Sequence, residues 1–216
     1  MSLTLWGAGT GRTMRGHWAL AELGVDYESK PILPRTGETL TPEYTALNPR
    51  QKIPLLQDGG FTLGESAAIV IYLAETYSSA SRDLLPPKGC HRHHWFEWAF
   101  FIVTELDSSS LYVMRRHGTV QGLAHIYGEA PGVVARAAEY FQRQLRHVDI
   151  ALRDGRPFLM GERFTAVDIL LTTCLKWARD YEIEMPPHLI SYLEGNMARP
   201  AYESARLANM VRDIAM

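Results

Sequence analysis

Two short stretches carry residue types that could hold a small charged ligand: KIPLL at residues 52–56 and GES at residues 64–66. Proline has no N–H and is tolerated in a sheet only at an edge, a strand start or a bulge. Pro54 therefore marks the start of an edge-like strand, and Ile53 before it faces a site. A cis Ile53–Pro54 bond would turn the N–H and C=O of Ile53 outward, where an extended peptide docks by backbone hydrogen bonds. Glu65 and Ser66 stand just ahead of the apolar run AAIVIYLA. That places them at a helix N-terminus, where open N–H groups and the positive dipole end attract a carboxylate. Ser66 adds a hydroxyl donor, and Glu65 can take an ammonium. The two ends together suit a short peptide bearing a carboxylate and an amine. The same residues also read as an ordinary strand start and an ordinary helix cap, and spacing alone does not separate the two.

The elements that must position these residues follow from punctuation and period. LTLWGA (residues 3–8) is a short strand ending in glycine, and TMRGHWALAELG (13–24) a helix stopped by Gly24. DYESKPIL (26–33) is a second strand, and TPEYTALNP (41–49) a short helix broken by proline. IPLLQ and FTLG flank the turn DGG as a hairpin, and ESAAIVIYLAETY is a helix. The order is β-α-β-α-β-β-α. SSASRDLLPPKG reads as a linker, and only helical periodicity follows it. HRHHWFEWAFFIVTELDSSSLYVMRRHG is expected to be one long helix bent near its serines. Further helices are expected over APGVVARAAEYFQRQLRHVDIALRDG, TAVDILLTTCLKWARDY and the C-terminal stretch, with RLANMVRDIAM as a terminal helix. The expected domains are 1–80 and 88–216.

At 216 residues the chain is long enough for a substantial core. A formal net charge of −2 leaves no electrostatic footprint for nucleic acid or an anionic membrane. No window reaches the roughly 18 apolar residues of a membrane span. The start of the sequence lacks the apolar core of a signal peptide, and Cys90 and Cys174 form no CxxC or metal pattern. A cytoplasmic protein without a metal is the expectation. His91 and His94 form an i, i+3 pair without a third ligand, so HRHH reads as a solvated helix start. Trp95, Trp98 and Phe101 fall at helical spacing and read as core or dimer contact.

NPRQKIPLLQDGGFTLGESAAIVIYLAETY resembles the N-terminal domain of cytosolic glutathione transferases, of the bacterial type with a serine- or threonine-like active site. The likeness lies in Asn48, Pro49, Lys52, Ile53, Pro54, Leu56, Glu65, Ser66, Ala68, Ile69, Tyr72 and Leu73. It departs at Gln51, where glycine is usual. It extends to HWALAELGVDYE upstream and to ERFTAVDILL downstream, where Thr165 and Asp168 have the spacing of a capping box. The resemblance implies an α/β thioredoxin-like domain followed by an all-helical domain. It implies glutathione as co-substrate, with Ile53 and Pro54 at its cysteinyl backbone. Glu65 and Ser66 would then hold its γ-glutamyl end, with Lys52 and Gln51 near the glycyl end. It also implies a homodimer, with the helix after Glu65 and the aromatic helix from Trp95 as candidate surfaces.

Relatives of this type lower the thiol pKa with a Tyr, Ser or Cys after the first strand, helped by a helix N-terminus. WGAGTGRTMRG has none of the three. Its hydroxyls are Thr10, which falls where serine-type members place their serine, and Thr13, a candidate N-cap. Backbone N–H groups alone remain an alternative. Arg12 is the better placed of the two nearby cations, with Arg15, to face the pocket. Without a cysteine the stretch differs from the omega-, beta- and zeta-like types. Tyr112, Arg115 and Arg116 are candidates for a pocket that takes a small hydrophobic electrophile. Three functions compete: transfer of glutathione to such an electrophile in detoxification, glutathione-dependent disulfide reduction, and non-catalytic ligand binding.

Overall fold

A computed structural model describes residues 3–86 and 88–210, which divide into two compact units. The first comprises Met1–Leu85 together with the residues from Asn196 onward, and the second Pro86–Gly195. Against the expected division at 80 and 88, the last described helix clusters with the first unit. The cause is long-range packing onto α1 (Gly11–Leu23) by α10 (Pro200–Ala208). Arg199, just before α10, makes a bidentate ion pair with Glu22 at 2.6 and 2.8 Å. Tyr202 meets Trp18 edge-on at 4.9 Å between ring centroids. The end of the expected terminal helix, residues 211–216, lies outside the described residues.

The first unit is built on a four-stranded sheet of order β2-β1-β3-β4, from β1 (Leu3–Trp6), β2 (Glu28–Lys30), β3 (Leu55–Asp58) and β4 (Phe61–Gly64). β1 runs parallel to β2 and antiparallel to β3, and β3 and β4 form the expected hairpin. β2 is shorter than the sequence suggests, because Pro31 has no N–H to continue the ladder. α1, the short α2 (Pro42–Leu47) and α3 (Ser66–Tyr77) complete the expected order. Gly24 ends α1 in the left-handed conformation, φ 63°. Leu5, Leu56, Trp18, Leu20, Ile69 and Leu73 are fully buried and form the core beneath the sheet. The Tyr72 and Tyr77 hydroxyls donate to Asp58 at 2.8 and 2.5 Å and tie α3 to the hairpin.

The second unit is helical. α4 (Cys90–Phe101) passes into a π-helical stretch, Ile102–Leu111, and then α5 (Tyr112–His117). The expected single helix is thus continuous but changes its hydrogen-bond register from Ile102, ahead of the serines, through Leu111. The Tyr112 N–H reaches the Asp107 C=O five residues back, and the buried Ser110 hydroxyl donates to the Glu105 C=O. Trp95 is buried, while Trp98 and Phe101 pack on His147 of α7 (Pro131–Leu152). His91, His93 and His94 are exposed, and His94 pairs with Glu97. The short α6 (Ala124–Tyr127) precedes α7. α8 (Ala166–Asp180) runs through the core, with Cys174 buried in it, and α9 (Pro187–Met197) follows. The Thr165–Asp168 capping box opens α8 as expected. Asp168 is 0% exposed and accepts from the Thr165 N–H at 2.8 Å, the Leu159 N–H at 2.7 Å and the Tyr192 hydroxyl at 2.6 Å. Burial pushes its carboxyl up, and these donors pull against that shift.

Candidate active site

The loop between β1 and α1 is fixed along its length. The Gly7 N–H donates to the Lys30 C=O at 2.8 Å, and the Ala8 N–H to the Ile32 C=O at 3.1 Å. Gly7 adopts φ 112°, and a Cβ there would lie 2.7 Å from Ile53 Cβ and 2.8 Å from Thr13 Cγ2. Only glycine admits this approach, which brings the end of β1 against Ile53 and Thr13. His17 braces the loop from α1, with Nε2 3.0 Å from the Gly7 C=O and Nδ1 2.7 Å from the Tyr27 hydroxyl. A carbonyl only accepts, so Nε2 carries the proton and Nδ1 accepts from Tyr27. Burial holds the His17 pKa below 6.5, although the Gly7 carbonyl opposes this, and it pushes the Tyr27 hydroxyl up to about 12.

Thr10, not Thr13, is the N-cap of α1. Thr10 Oγ1 accepts from the Thr13 N–H and Thr13 Oγ1 from the Thr10 N–H, both at 3.0 Å. The spacing TGRT suits a capping box, and the N-cap falls one turn earlier than expected because α1 begins at Gly11. Thr10 is half-buried, and its hydroxyl lies 3.0 Å from the Thr13 hydroxyl, to which it gives its proton when Thr13 gives its own to Asn209. Thr13 is fully buried.

Across the site, Tyr44 and Asn48 anchor the Lys52 C=O at 2.6 and 2.8 Å. Ile53 follows, joined to Pro54 by a cis peptide bond. Among the described residues the Ile53 N–H and C=O have no backbone partner. Gln51 adopts φ 54°, a left-handed conformation that favours glycine, and its amide donates to Thr45 Oγ1 at 3.0 Å. That geometry accounts for the glycine usual at this position.

Glu65 is the N-cap of α3, with φ 66°, and its carboxylate makes no capping bond. A bulky residue in that conformation is strained, and such strain gathers at ligand-binding sites. The carboxylate pairs instead with Arg50 in an exposed ion pair, worth at most about 1 kcal/mol. An incoming ammonium displaces such a contact at little cost. Ser66 is buried at the first turn and accepts from Arg15 Nη1 at 3.0 Å. Arg15 itself is only 2% exposed. Arg15 is thus tied to Ser66, and Arg12 is half-buried in the first turn of α1.

The structure thus gathers Thr10, Thr13, Ile53, Pro54, Glu65 and Ser66 in one unit. Lys52 is exposed beside them. Tyr112, Arg115 and Arg116 lie in the second unit on α5, where Arg116 sits over the Tyr127 ring at 4.5 Å. Sequence reasoning names Arg15 only as the second of two nearby cations, after Arg12, and does not single out His17 or Asn209 as site residues. A charged residue set among the apolar positions of α1 is the one available signal for Arg15.

Comparison with known proteins identifies the family. The family model "Glutathione S-transferase, N-terminal domain" matches residues 1–75, and "Glutathione S-transferase, C-terminal domain" matches residues 131–201. Glutathione S-transferase 3 of Zea mays is 31% identical over 194 residues, covering 85% of this chain and 83% of the maize protein. This protein belongs to the glutathione S-transferase family. A theta class glutathione S-transferase from Xanthomonas axonopodis pv. citri, solved with glutathione bound, is 29% identical with a TM-score of 0.78. The match covers 95% of this chain and 97% of that one. A family member from Pseudomonas fluorescens with two glutathione bound is 26% identical, covers 95% and 92% of the two sequences, and gives a TM-score of 0.81.

Proposed function

We propose that this glutathione transferase activates the glutathione thiol through Thr10 and the N-terminus of α1, for attack on a small hydrophobic electrophile. The carrying observation is the Arg15–Ser66 bond at the start of α3. A hydroxyl has one proton; since Ser66 accepts from Arg15, that proton is left to give to a carboxylate. The open N–H groups of the first turn of α3 add to the same pull. Ser66 and Glu65 then take the carboxylate and ammonium of the γ-glutamyl end, and the Ile53 N–H and C=O pair with the cysteinyl backbone beside Pro54. Lys52 and Gln51 meet the glycyl carboxylate.

This binding places the sulfur at Thr10. A hydroxyl hydrogen bond and a helix N-terminus both favour the thiolate. The thiol proton leaves to solvent, the sulfur forms a bond to the electrophilic carbon, and the leaving group departs with its bonding electrons. Tyr112 and Arg115, half-buried on α5, are the proposed electrophile contacts. Arg116 contributes less, since its guanidinium is already on Tyr127. Thiolate absorbance of the glutathione complex tests the activation; a bound thiol titrating as free glutathione would overturn it.

A second reading, glutathione-dependent disulfide reduction, draws support from the two glutathione molecules in the Pseudomonas fluorescens relative and from the absence of cysteine in GAGTGRT. Turnover of an aryl halide against turnover of a small disulfide separates the two. Exposed Phe61 and Phe100, with half-buried Ile71 and Tyr72 on α3, support a homodimer. Light scattering that gives a monomer mass at working concentrations would remove it. Among the described residues no helix is long and apolar enough to cross a membrane. Cysteine usage supports a cytoplasmic location, and membership of the family supports a detoxifying role.

A further inference from the structure

The end of α10 reaches the loop that the proposed chemistry uses. Asn209 is the C-cap of α10, and it bonds that loop three times. Its backbone carbonyl accepts from the Gly9 N–H at 2.9 Å. Its Oδ1 accepts from the Thr13 hydroxyl at 2.6 Å, and its Nδ2 donates to the Thr10 C=O at 3.2 Å. One amide therefore engages both members of the α1 capping box. The attachment of α10 to α1 does not depend on it, since the Arg199–Glu22 pair and the Trp18–Tyr202 contact already hold the two helices together.

We infer that Asn209 is a positioning residue for thiol activation, holding Thr10 so that its hydroxyl stays aimed at the sulfur. The inference rests on the reading of Thr10 as the thiol contact. Gly7, Gly9 and Gly11 surround Thr10, and Gly9 adopts φ 75°. Such a loop has wide backbone freedom unless it is tied. Thr13 gives its proton to Asn209 while its oxygen receives the Thr10 N–H, and Nδ2 takes the Thr10 C=O. The Thr10 C=O also accepts from the Met14 N–H at 3.0 Å, so Asn209 adds to the hold that the start of α1 already has on the Thr10 backbone. A hydroxyl donor loses strength steeply once its angle falls below about 120°, so a loosened loop weakens the bond to sulfur before it weakens anything else.

The test is a pH titration of bound-thiolate absorbance in wild type, Thr10→Ala, Asn209→Ala and the double variant, with glutathione affinity by calorimetry. Asn209→Ala should raise the bound thiol pKa and cut the thiolate fraction below that pKa by about threefold to tenfold, the loss of roughly one net hydrogen bond. Glutathione affinity should stay within about twofold, because the γ-glutamyl and cysteinyl contacts are elsewhere. The double variant should titrate no higher than Thr10→Ala alone. If Thr10→Ala shifts the titration and Asn209→Ala does not, the Asn209 role is overturned and the Thr10 reading stands. If Asn209→Ala shifts it and Thr10→Ala does not, the Thr10 reading fails, and with it positioning through Thr10. Additive shifts in the double variant would overturn positioning through Thr10 as well. Should Asn209→Ala not fold, Thr13→Val cuts the same link from its other side, with Thr13→Ser as the rescue. A wild-type titration in Thr13→Val would overturn the proposal equally.

Discussion

Two helices of this molecule open with the same device and use it differently. α1 begins at TGRT and α8 at TAVD, each a threonine N-cap with a reciprocating partner three residues on. At α8 the partner is Asp168, which is wholly buried and accepts from donors in three places, Thr165, Leu159 and Tyr192. At α1 the partner is neutral Thr13, and the cap residue Thr10 stays half-buried, with the Thr13 hydroxyl at 3.0 Å as the one side-chain partner of its proton among the described residues. A box closed on all sides stabilises a core. A box left open on one side holds a hydroxyl and a helix N-terminus ready for an anion. Sequence spacing is the same in both cases, so what distinguishes them is the burial that tertiary packing imposes.

The largest expected effect falls on the closed box. Asp168→Ala strands several buried donors at once, each worth about 1–3 kcal/mol of unmet desolvation. Chemical denaturation should show a loss of at least about 3 kcal/mol. The material that remains folded should bind glutathione with wild-type affinity, because Asp168 and the proposed glutathione contacts lie in different units. A loss below about 1 kcal/mol, smaller than one unmet buried donor, would mean that the box at α8 is not the structural clamp its geometry indicates.

Ser66→Ala should act on binding more than on stability. It removes a hydroxyl proposed to give a charge-assisted bond, so calorimetry should show glutathione binding weaker by about 1–3 kcal/mol. It also takes an acceptor from the buried Arg15, so part of the loss should appear as lower stability. Unchanged affinity would remove Ser66 from the γ-glutamyl site.

Thr10→Ala should act on both, at smaller scale. As N-cap its loss costs about 0.5–2 kcal/mol of stability. Its loss as thiol donor should raise the bound thiol pKa without a matching loss of glutathione affinity. Thr10→Ser should keep both properties, because serine caps and donates as threonine does. A variant that loses stability but titrates normally would make the two boxes alike after all.

What is legible in the sequence divides along the same line. The element order of the first unit can be read because glycine and proline punctuate it, at Gly24, Pro54 and the DGG turn. Ile53, Pro54, Glu65 and Ser66 stand out because proline and a helix start restrict what their backbones can do. The cap of α1 reads one turn late, since TGRT offers two threonines and no local rule chooses between them. Arg15 ranks behind Arg12 in the sequence because α1 is buried on nearly every side, so a polar residue on it marks no solvent face. The allegiance of α10 rests on Glu22 with Arg199 and Trp18 with Tyr202, pairs that lie far apart in sequence and leave no periodic trace. The π-helical register is a matter of which carbonyl each N–H chooses, and only the serines hint at it.

The smallest expected effect concerns the imidazole behind the open box. His17 donates to the Gly7 carbonyl and accepts from Tyr27, an arrangement that only the neutral ring can make. Burial holds its folded pKa below 6.5, while in the unfolded state it titrates near that value. Between 6.5 and the lower folded value the unfolded state binds the extra proton, so stability rises with pH across that window. The contribution is present above 6.5 and is lost as pH falls toward the folded value. It is modest because one group titrates and the Gly7 carbonyl opposes the shift. Denaturation midpoints of the wild type should drop as the pH is lowered through this window. In His17→Gln the drop should be shallower, since glutamine can give and accept similar bonds without titrating. An equal slope in both proteins would assign the pH sensitivity to other groups and leave His17 as a brace of the Gly7 turn alone.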